Sequence, residues 1–187
     1  YGAPVSEAGW TTEKFYATRD LISKYLMPGE PALPEPPAAN PVTSFPLVKL
    51  TEFAPLFENL PEPVVTGDPK TMEYYDQRKG SILYRTVLPA GKECTFKVDA
   101  VHDFAWVFVD GEELGVMDRR KQNHKIAIPA RDKETTVDIF VHAMGRINFG
   151  PEVHDRKGLI APIEFLDKDN NRIPVNKWKV FNLSYDG

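Results

Sequence analysis

The sequence lacks the features that mark several large classes of protein. Its 187 residues contain a single cysteine, Cys94, so an internal disulfide is excluded, and no cluster of ligands for zinc surrounds it. Basic residues do not exceed acidic ones, and the net charge of -4 argues against the basic surface that nucleic acids or anionic membranes require. No apolar run approaches the roughly 20 residues that span a bilayer. We therefore expect neither a nucleic-acid nor a membrane partner, and no motif indicates a cofactor.

The first 46 residues differ in composition from the rest. Residues 12–27 carry apolar side chains at helical spacing, and Pro28-Gly29 is a helix stop signal, so one amphipathic helix is expected. The apolar stripe consists of Phe15, Leu21, Ile22, Tyr25 and Leu26. Seven prolines between Pro28 and Pro46 favour an extended connector. We predict an N-terminal segment over 1–27 that contains this helix, whose packing partner lies elsewhere, a linker over 28–46 and a main domain over 47–187.

The main domain has the pattern of an antiparallel β-sandwich. Short runs of alternating or continuous apolar residues, separated by turn residues, predict strands. These runs cover 82–88, 96–98, 104–109, 124–128, 136–142, 159–165 and 178–185. Asp110-Gly111 predicts a hairpin turn, and Asp68-Pro69 predicts the capped start of a helical turn. Trp106 stands within an apolar run and is expected in the core.

Few residues form patterns that carry chemistry. The acidic residues near the N-terminus, Glu7 and Glu13, are interpreted as surface or structural groups, because spacing alone does not pair them across a substrate. The histidines, His102, His124, His142 and His154, show no metal-ligand spacing, so no metal site is expected. The polar run 167–171, which lacks the glycine and the distal glutamate of a calcium loop, is interpreted as a turn between strands, and the basic run 119–121 as a solvated hairpin tip.

The segment from Met144 to Gly158 holds the densest mixture of glycine, charge and aromatic residues. Its polar side chains Arg146, Asn148 and Asp155 are candidates for a hydrogen-bonded loop network. One interpretation is a sugar-binding loop at the rim of the sandwich. The other is a network that holds a long loop against the sheet or a neighbouring domain, and it is favoured because half-satisfied buried polar groups are costly.

Two blocks of sequence resemble a known family. The run Tyr1-Gly-Ala-Pro-Val-Ser-Glu-Ala-Gly9, followed by residues 12–19, resembles the end of the catalytic barrel of glycoside hydrolase family 35 β-galactosidases. Residues 80–86, 102–111, 144–150 and 155–159 resemble the first β-domain after that barrel. The resemblance implies a mainly β fold, an antiparallel jelly-roll sandwich of galactose-binding-like type, preceded by one α-helix from a TIM barrel.

The family's activity is the removal of terminal β-linked galactose with retention, by two glutamates on barrel strands. The resemblance implies that both glutamates lie upstream of Tyr1, that the barrel of the same polypeptide is the partner of this chain, and that the setting is periplasmic, secreted or lysosome-like. Tyr1 matches a tyrosine that contacts galactose in the family, although Gly2 stands where the family has aspartate. No catalytic residue is expected within the chain.

Three functions follow from these observations. The first is a non-catalytic, structural β-domain of a β-galactosidase, which is indicated by the unpartnered helix and by the absence of the catalytic glutamates. The second is an autonomous module that binds galactosides. The third is a protein interaction domain that uses the exposed helix face or a strand edge.

Overall fold

The structure, a computed structural model, describes residues 2–39 and 41–185. These residues form one α-helix and ten β-strands, and the chain divides into two compact units, Tyr1–Phe53 and Ala54–Gly187. The elements are α1 (Glu13–Ser23), β1 (Val64–Thr66), β2 (Ser81–Leu88), β3 (Cys94–His102), β4 (Phe104–Val109), β5 (Glu112–Asp118), β6 (Lys125–Ile128), β7 (Thr135–His142), β8 (Gly158–Leu166), β9 (Arg172–Ile173) and β10 (Trp178–Leu183). Within the described part of the chain, no helix is long and apolar enough to cross a membrane.

The first unit is built around α1. The helix ends at Ser23, before the predicted end at Met27, because the Lys24 and Tyr25 amides donate to carbonyls three residues earlier and tighten the last turn. None of its residues is buried, and Leu21 and Ile22 are exposed. Arg19 donates to the carbonyls of Leu33 and Pro34, which attaches the helix to the proline-rich segment. The assignment of this unit to a barrel and a linker stays a prediction.

The second unit consists of two antiparallel sheets. One has six strands in the order β1-β10-β2-β7-β4-β5, and the other has four in the order β6-β3-β8-β9. Every neighbouring pair is antiparallel. Alternate side chains of both sheets form one apolar core, as the period-two pattern predicts. The predicted antiparallel β-sandwich is therefore confirmed.

Of the two turns predicted from local sequence, one is confirmed and the other is wrong. The β4–β5 hairpin turns at Asp110-Gly111, where both residues have positive φ, 50° and 86°. The helical turn after Asp68 starts only at Met72, with Thr71 before it and no side-chain cap. The Asp68 carbonyl instead accepts a hydrogen bond from the Thr66 hydroxyl, so Asp68 belongs to the turn that follows β1.

The outer face of the six-stranded sheet carries a second apolar layer. On β4 the inward residues are Ala105 and Val107, which are fully buried, so Trp106 points to the other face. Its ring lies 4.5 Å from the Phe104 ring and 5.6 Å from the Phe140 ring. The prediction that Trp106 lies in the core is wrong, because a continuous apolar run does not show which of its two faces turns inward.

Candidate functional site

Four charged side chains meet at one end of the sandwich, where β3 and β5 end and β4 and β8 begin, and we call them the ion cluster: Asp103, Arg119, Asp155 and Lys157. Lys157 Nζ donates to Asp103 Oδ2 at 2.7 Å and lies 2.6 Å from Asp155 Oδ2, the latter an ion pair without hydrogen-bond geometry. Arg119 Nη1 donates to Asp103 Oδ1 at 2.9 Å and to Asp155 Oδ1 at 2.6 Å. Each carboxylate thus contacts both cations, and the cations fill the space between the two carboxylates.

Strand pairing brings these four residues together from distant parts of the chain. Asp103 stands between β3 and β4, and Arg119 follows β5. Because Phe104 pairs with Asp118, the next residues outward, Asp103 and Arg119, are also adjacent. The Arg119 amide donates to the Asp103 carbonyl at 3.0 Å. The pairing of His102 with Gly158 places Lys157 beside them at the start of β8.

Both carboxylates of the ion cluster are held in the ionised form. Burial works to raise the pKa of Asp103 and of Asp155, but the hydrogen bonds and ion pairs that Lys157 and Arg119 make with them outweigh it and hold both pKa values below the ordinary range. Each aspartate is 8% exposed, and Lys157 is 1% exposed. A neutral carboxylic acid that could protonate a leaving group is therefore absent from this cluster.

A second set of contacts fixes the loop above the ion cluster. Arg146 Nη1 donates to Glu73 Oε1 at 2.6 Å, and its Nε and Nη2 donate to the Arg78 carbonyl. Glu73 also accepts from the Lys157 amide at 3.0 Å. Burial works to raise the Glu73 pKa, but the hydrogen bonds from Arg146 and this amide lower it. The loop is thus tied to the turn over Met72–Tyr75.

The structure joins two of the three residues predicted to form a loop network. Arg146 Nη1 donates to the Asp155 backbone carbonyl at 3.3 Å, while the Asp155 side chain turns into the ion cluster. Asn148 is exposed, and the part of the chain that the structure describes gives it no hydrogen bond to either. Tyr1, the predicted galactose contact, lies outside the described residues. A sugar-binding role for these residues stays a prediction.

Sequence reasoning missed most of the ion cluster. Residues 119–121 are predicted as a solvated hairpin tip, and this is wrong for Arg119, whose guanidinium lies between two buried carboxylates. Arg120 and Lys121 are exposed, as predicted. One signal was available, because Asp103 interrupts an apolar run and Lys157 directly precedes a buried strand, and isolated charges in such places require partners.

A cavity of about 760 Å³ opens on the outer face of the six-stranded sheet. Phe104, Trp106 and Tyr185 provide its aromatic surfaces, and His142 lies among them. His142 Nδ1 lies 3.0 Å from Ser81 Oγ and 3.4 Å from the Tyr185 hydroxyl. The cavity therefore combines an apolar surface with a few polar groups, as small-molecule sites do.

His102 lies beside the ion cluster, with its Nδ1 3.3 Å from Asp155 Oδ1, whereas other predicted positions lie on the surface or, like Cys94, in the core. Glu7, Glu13 and His154 are exposed, and Asp167 closes the β8–β9 turn by accepting from the Asp169 and Asn171 amides at 2.8 Å. Over residues 2–39 and 41–185, no group of three or more His, Cys, Asp or Glu is placed to hold a metal ion. Cys94 is buried, and burial raises the pKa of its thiol.

Comparison with known proteins identifies the family. Residues 69–184 match the family described as "Beta-galactosidase, first all-beta domain". The chain is 35% identical over 184 residues to the beta-galactosidase of Xanthomonas manihotis, covering 98% of this chain and 29% of that protein. It is 36% identical over 195 residues to the beta-galactosidase of Homo sapiens, covering 98% of this chain and 27% of that protein.

Beta-galactosidase 1 of Dictyostelium discoideum is more distant, at 30% identity over 184 residues, 86% of this chain and 27% of that protein. The chain thus spans less than a third of the length of these relatives. The matched residues include almost all of the sandwich, from the turn at Met72 to β10. The predicted family is confirmed: the chain belongs to the beta-galactosidases, and residues 69–184 are the first all-beta domain of that family.

Proposed function

We propose that the chain acts as a non-catalytic, structural β-domain of a retaining exo-β-galactosidase. The two catalytic glutamates of that enzyme are proposed to lie upstream of Tyr1, on the barrel of the same polypeptide, as the family resemblance implies. The natural partner of the chain is then this barrel, the substrate of the whole enzyme is a terminal β-galactoside, and the setting lies outside the cytoplasm.

The ion cluster is the observation that supports a structural role most strongly. A retaining glycosidase needs two carboxyl groups about 5 Å apart on either side of the glycosidic bond, with one protonated. Asp103 and Asp155 are neighbours, but Lys157 and Arg119 occupy the space between them and keep both ionised. The arrangement holds β3, β5 and the loop before β8 together, and it leaves no room for a sugar.

An activity assay on the chain tests this proposal. The chain is purified, its cooperative unfolding is verified by circular dichroism, and it is incubated with a chromogenic β-galactoside. We expect no release of the chromophore above the uncatalysed rate. Turnover that disappears in D103N or D155N, with the fold retained, would overturn the proposal.

A second candidate function is the binding of a galactoside by the chain alone. It is favoured by the cavity on the outer sheet face, because Trp106 and Tyr185 offer aromatic surfaces on which a sugar ring can stack. Amide NMR spectra recorded during titration with galactose or lactose test it. Shifts confined to residues around the cavity would support binding, and their absence would contradict it. A protein interaction role stays a weaker prediction.

A further inference from the structure

The cavity on the outer sheet face has an unusual charge. Four cationic side chains line it, Arg78, Lys79, Arg120 and Arg146, and none of its lining residues is acidic. The chain as a whole carries a net charge of -4. Asp118 and Glu73 pair with Arg120 and Arg146 outside the lining, so the positive charge is partly balanced, but the lining itself presents cationic N–H donors and no carboxylate, which favours an anionic occupant.

Two of the guanidinium groups are fixed in place by carboxylates that lie outside the cavity lining. Arg120 donates through Nε and Nη2 to the two oxygens of Asp118, at 3.0 Å and 2.8 Å, so this pair does not use its Nη1. Arg146 is held by Glu73 and by the Arg78 carbonyl. The Arg78 side chain is exposed. Such fixed guanidinium groups present N–H donors with little loss of conformational entropy on binding.

The aromatic surfaces of the cavity suit a sugar ring. Trp106 is half-buried with Phe104 against it, and Tyr185 is 67% exposed, with its ring 6.3 Å from that of His142. The cavity volume of about 760 Å³ lies in the range of small-molecule sites. β4 is paired on both sides, with β5 and β7, so this part of the sheet has no free edge for an extended peptide.

We propose that this cavity binds an anionic saccharide, a sugar that carries a carboxylate or a sulfate. The sugar ring stacks on Trp106 or Tyr185, and the anionic group accepts hydrogen bonds from Arg78 and Arg120. This inference rests on the second candidate function, sugar binding by the chain, and it adds the class of sugar. The shared chemistry of uronates and sulfated sugars is a flat apolar ring face with an attached oxyanion.

The test compares an anionic with a neutral disaccharide of similar size. Digalacturonate and galactobiose are titrated separately into the chain, and amide and tryptophan side-chain NMR shifts are followed. We expect digalacturonate to shift the Trp106 indole and residues 142–146, with an affinity at least about tenfold higher than that of galactobiose. Increasing the salt concentration weakens the binding, because the ion contacts lie at an open surface.

Matched variants show whether the cavity is responsible. R78Q and Y185A are each expected to weaken digalacturonate binding about tenfold. Two variants serve as matched controls. R172Q, the control for R78Q, removes the same charge from exposed Arg172 on the other sheet, and Y74A, the control for Y185A, removes the ring of Tyr74, which is 69% exposed. Both controls should leave the affinity unchanged. A sulfated galactose in a third titration distinguishes a site selective for carboxylate from one that accepts either anion, and both results support the proposal.

Three results would overturn the inference, and they have different consequences. Equal affinity for digalacturonate and galactobiose would refute selection for anions and leave galactoside binding intact. Absence of localised shifts with either sugar would refute both. Stronger binding of an acidic, aromatic peptide at the same residues would assign the cavity to a protein segment instead.

Discussion

At the scale of single residues, Lys157 has the most demanding environment in the sandwich. A buried ammonium loses its hydration, and this is tolerated only where counter-charges lie close by. Asp103 and Asp155 provide them at 2.7 Å and 2.6 Å, and Arg119 balances the second negative charge. The cluster is therefore neutral as a whole, so each member stabilises the fold only while the other three are present.

The substitution K157M tests this interdependence. It retains an apolar stem but leaves two buried aspartates with only Arg119 as a cation, so we expect a loss of about 3–5 kcal/mol in the free energy of unfolding. Urea denaturation measures it. K168M, at an exposed position in the β8–β9 turn, is the control and should change stability by less than about 0.5 kcal/mol. Equal effects of the two substitutions would contradict the role assigned to the cluster.

The aspartates of the cluster also determine a pH dependence. Their folded-state pKa values lie below the ordinary value of 3.8, so the stability that they contribute is present above about pH 4 and is lost as the pH falls through the folded-state values. We expect urea midpoints of the wild type to fall more steeply than those of D103N between about pH 4 and pH 2. Asp138 contributes a pH dependence of the opposite sign, because burial raises its pKa although Arg85 lies beside it. Asp138 is present in both the wild type and D103N, so the comparison between them is unaffected. Parallel curves would contradict the prediction.

Two residues show where sequence reasoning stops at this scale. The position of the Arg119 guanidinium depends on Asp103 and Asp155, which are 16 and 36 residues away, and only the folded strands bring these residues together. Trp106 lies in a run that is apolar throughout. The sequence pattern of β4 therefore does not show which sheet face Trp106 points to, and the packing of neighbouring strands decides it. By contrast, the turn at Asp110-Gly111 depends on local backbone chemistry and was predictable.

At the scale of elements, the contact between β2 and β8 joins the two sheets. Tyr84 of β2 is fully buried; its hydroxyl donates to the Lys70 carbonyl at 2.8 Å and accepts from the Leu159 amide at 3.4 Å. Gly158 begins β8 with φ +101°, and a Cβ there would lie 2.3 Å from the Tyr84 hydroxyl. Glycine is therefore required by both the backbone conformation and the space available.

The substitution G158A should destabilise the sandwich by about 2–4 kcal/mol, through the clash and the left-handed backbone. G67A is the matched control, since a Cβ at Gly67 would meet no atom within 4 Å and this glycine has no positive φ. Chemical denaturation of both variants measures the difference. Adding Y84F to G158A removes the hydroxyl nearest the new methyl group, so the combined loss should be smaller than the sum of the two single losses. Additive losses would contradict the steric explanation.

The strands themselves were largely predictable from their periodicity. Ile126 and Ile128 are spaced by two, with Lys125 and Ala127 on the exposed face, and β6 spans Lys125–Ile128. In β10 the apolar phase shifts between Val180 and Phe181, which is typical of a bulge or of a strand with both faces covered, and both residues are buried. β1, β5 and β9 are not among the predicted runs: β1 and β9 have only three and two residues, too short to show a period, and β5 (Glu112–Asp118) has no regular alternation of apolar and polar residues.

At the scale of the whole molecule, the core belongs to the second unit alone. Every residue of the apolar core lies between Met72 and Val180, whereas residues 41–55 are exposed and have no regular secondary structure. Brief digestion with trypsin should therefore cleave after Lys49 and leave a resistant fragment that begins at Leu50. N-terminal sequencing of the fragment identifies the site. Early cleavage within β2 to β8, with the 41–55 segment intact, would contradict this division.

The sharpest test of a non-catalytic role asks whether the chain contains the nucleophile of a retaining glycosidase. Such an enzyme forms a covalent glycosyl intermediate, which an activated 2-fluoro-galactoside traps. The 187-residue chain is incubated with this reagent beside an active β-galactosidase as a positive control, and the intact masses are recorded. We predict an unchanged mass for the chain and a gain of one fluorogalactosyl group for the control. The same gain on the chain, located by peptide mapping at one of its own carboxylates, would contradict a purely structural domain.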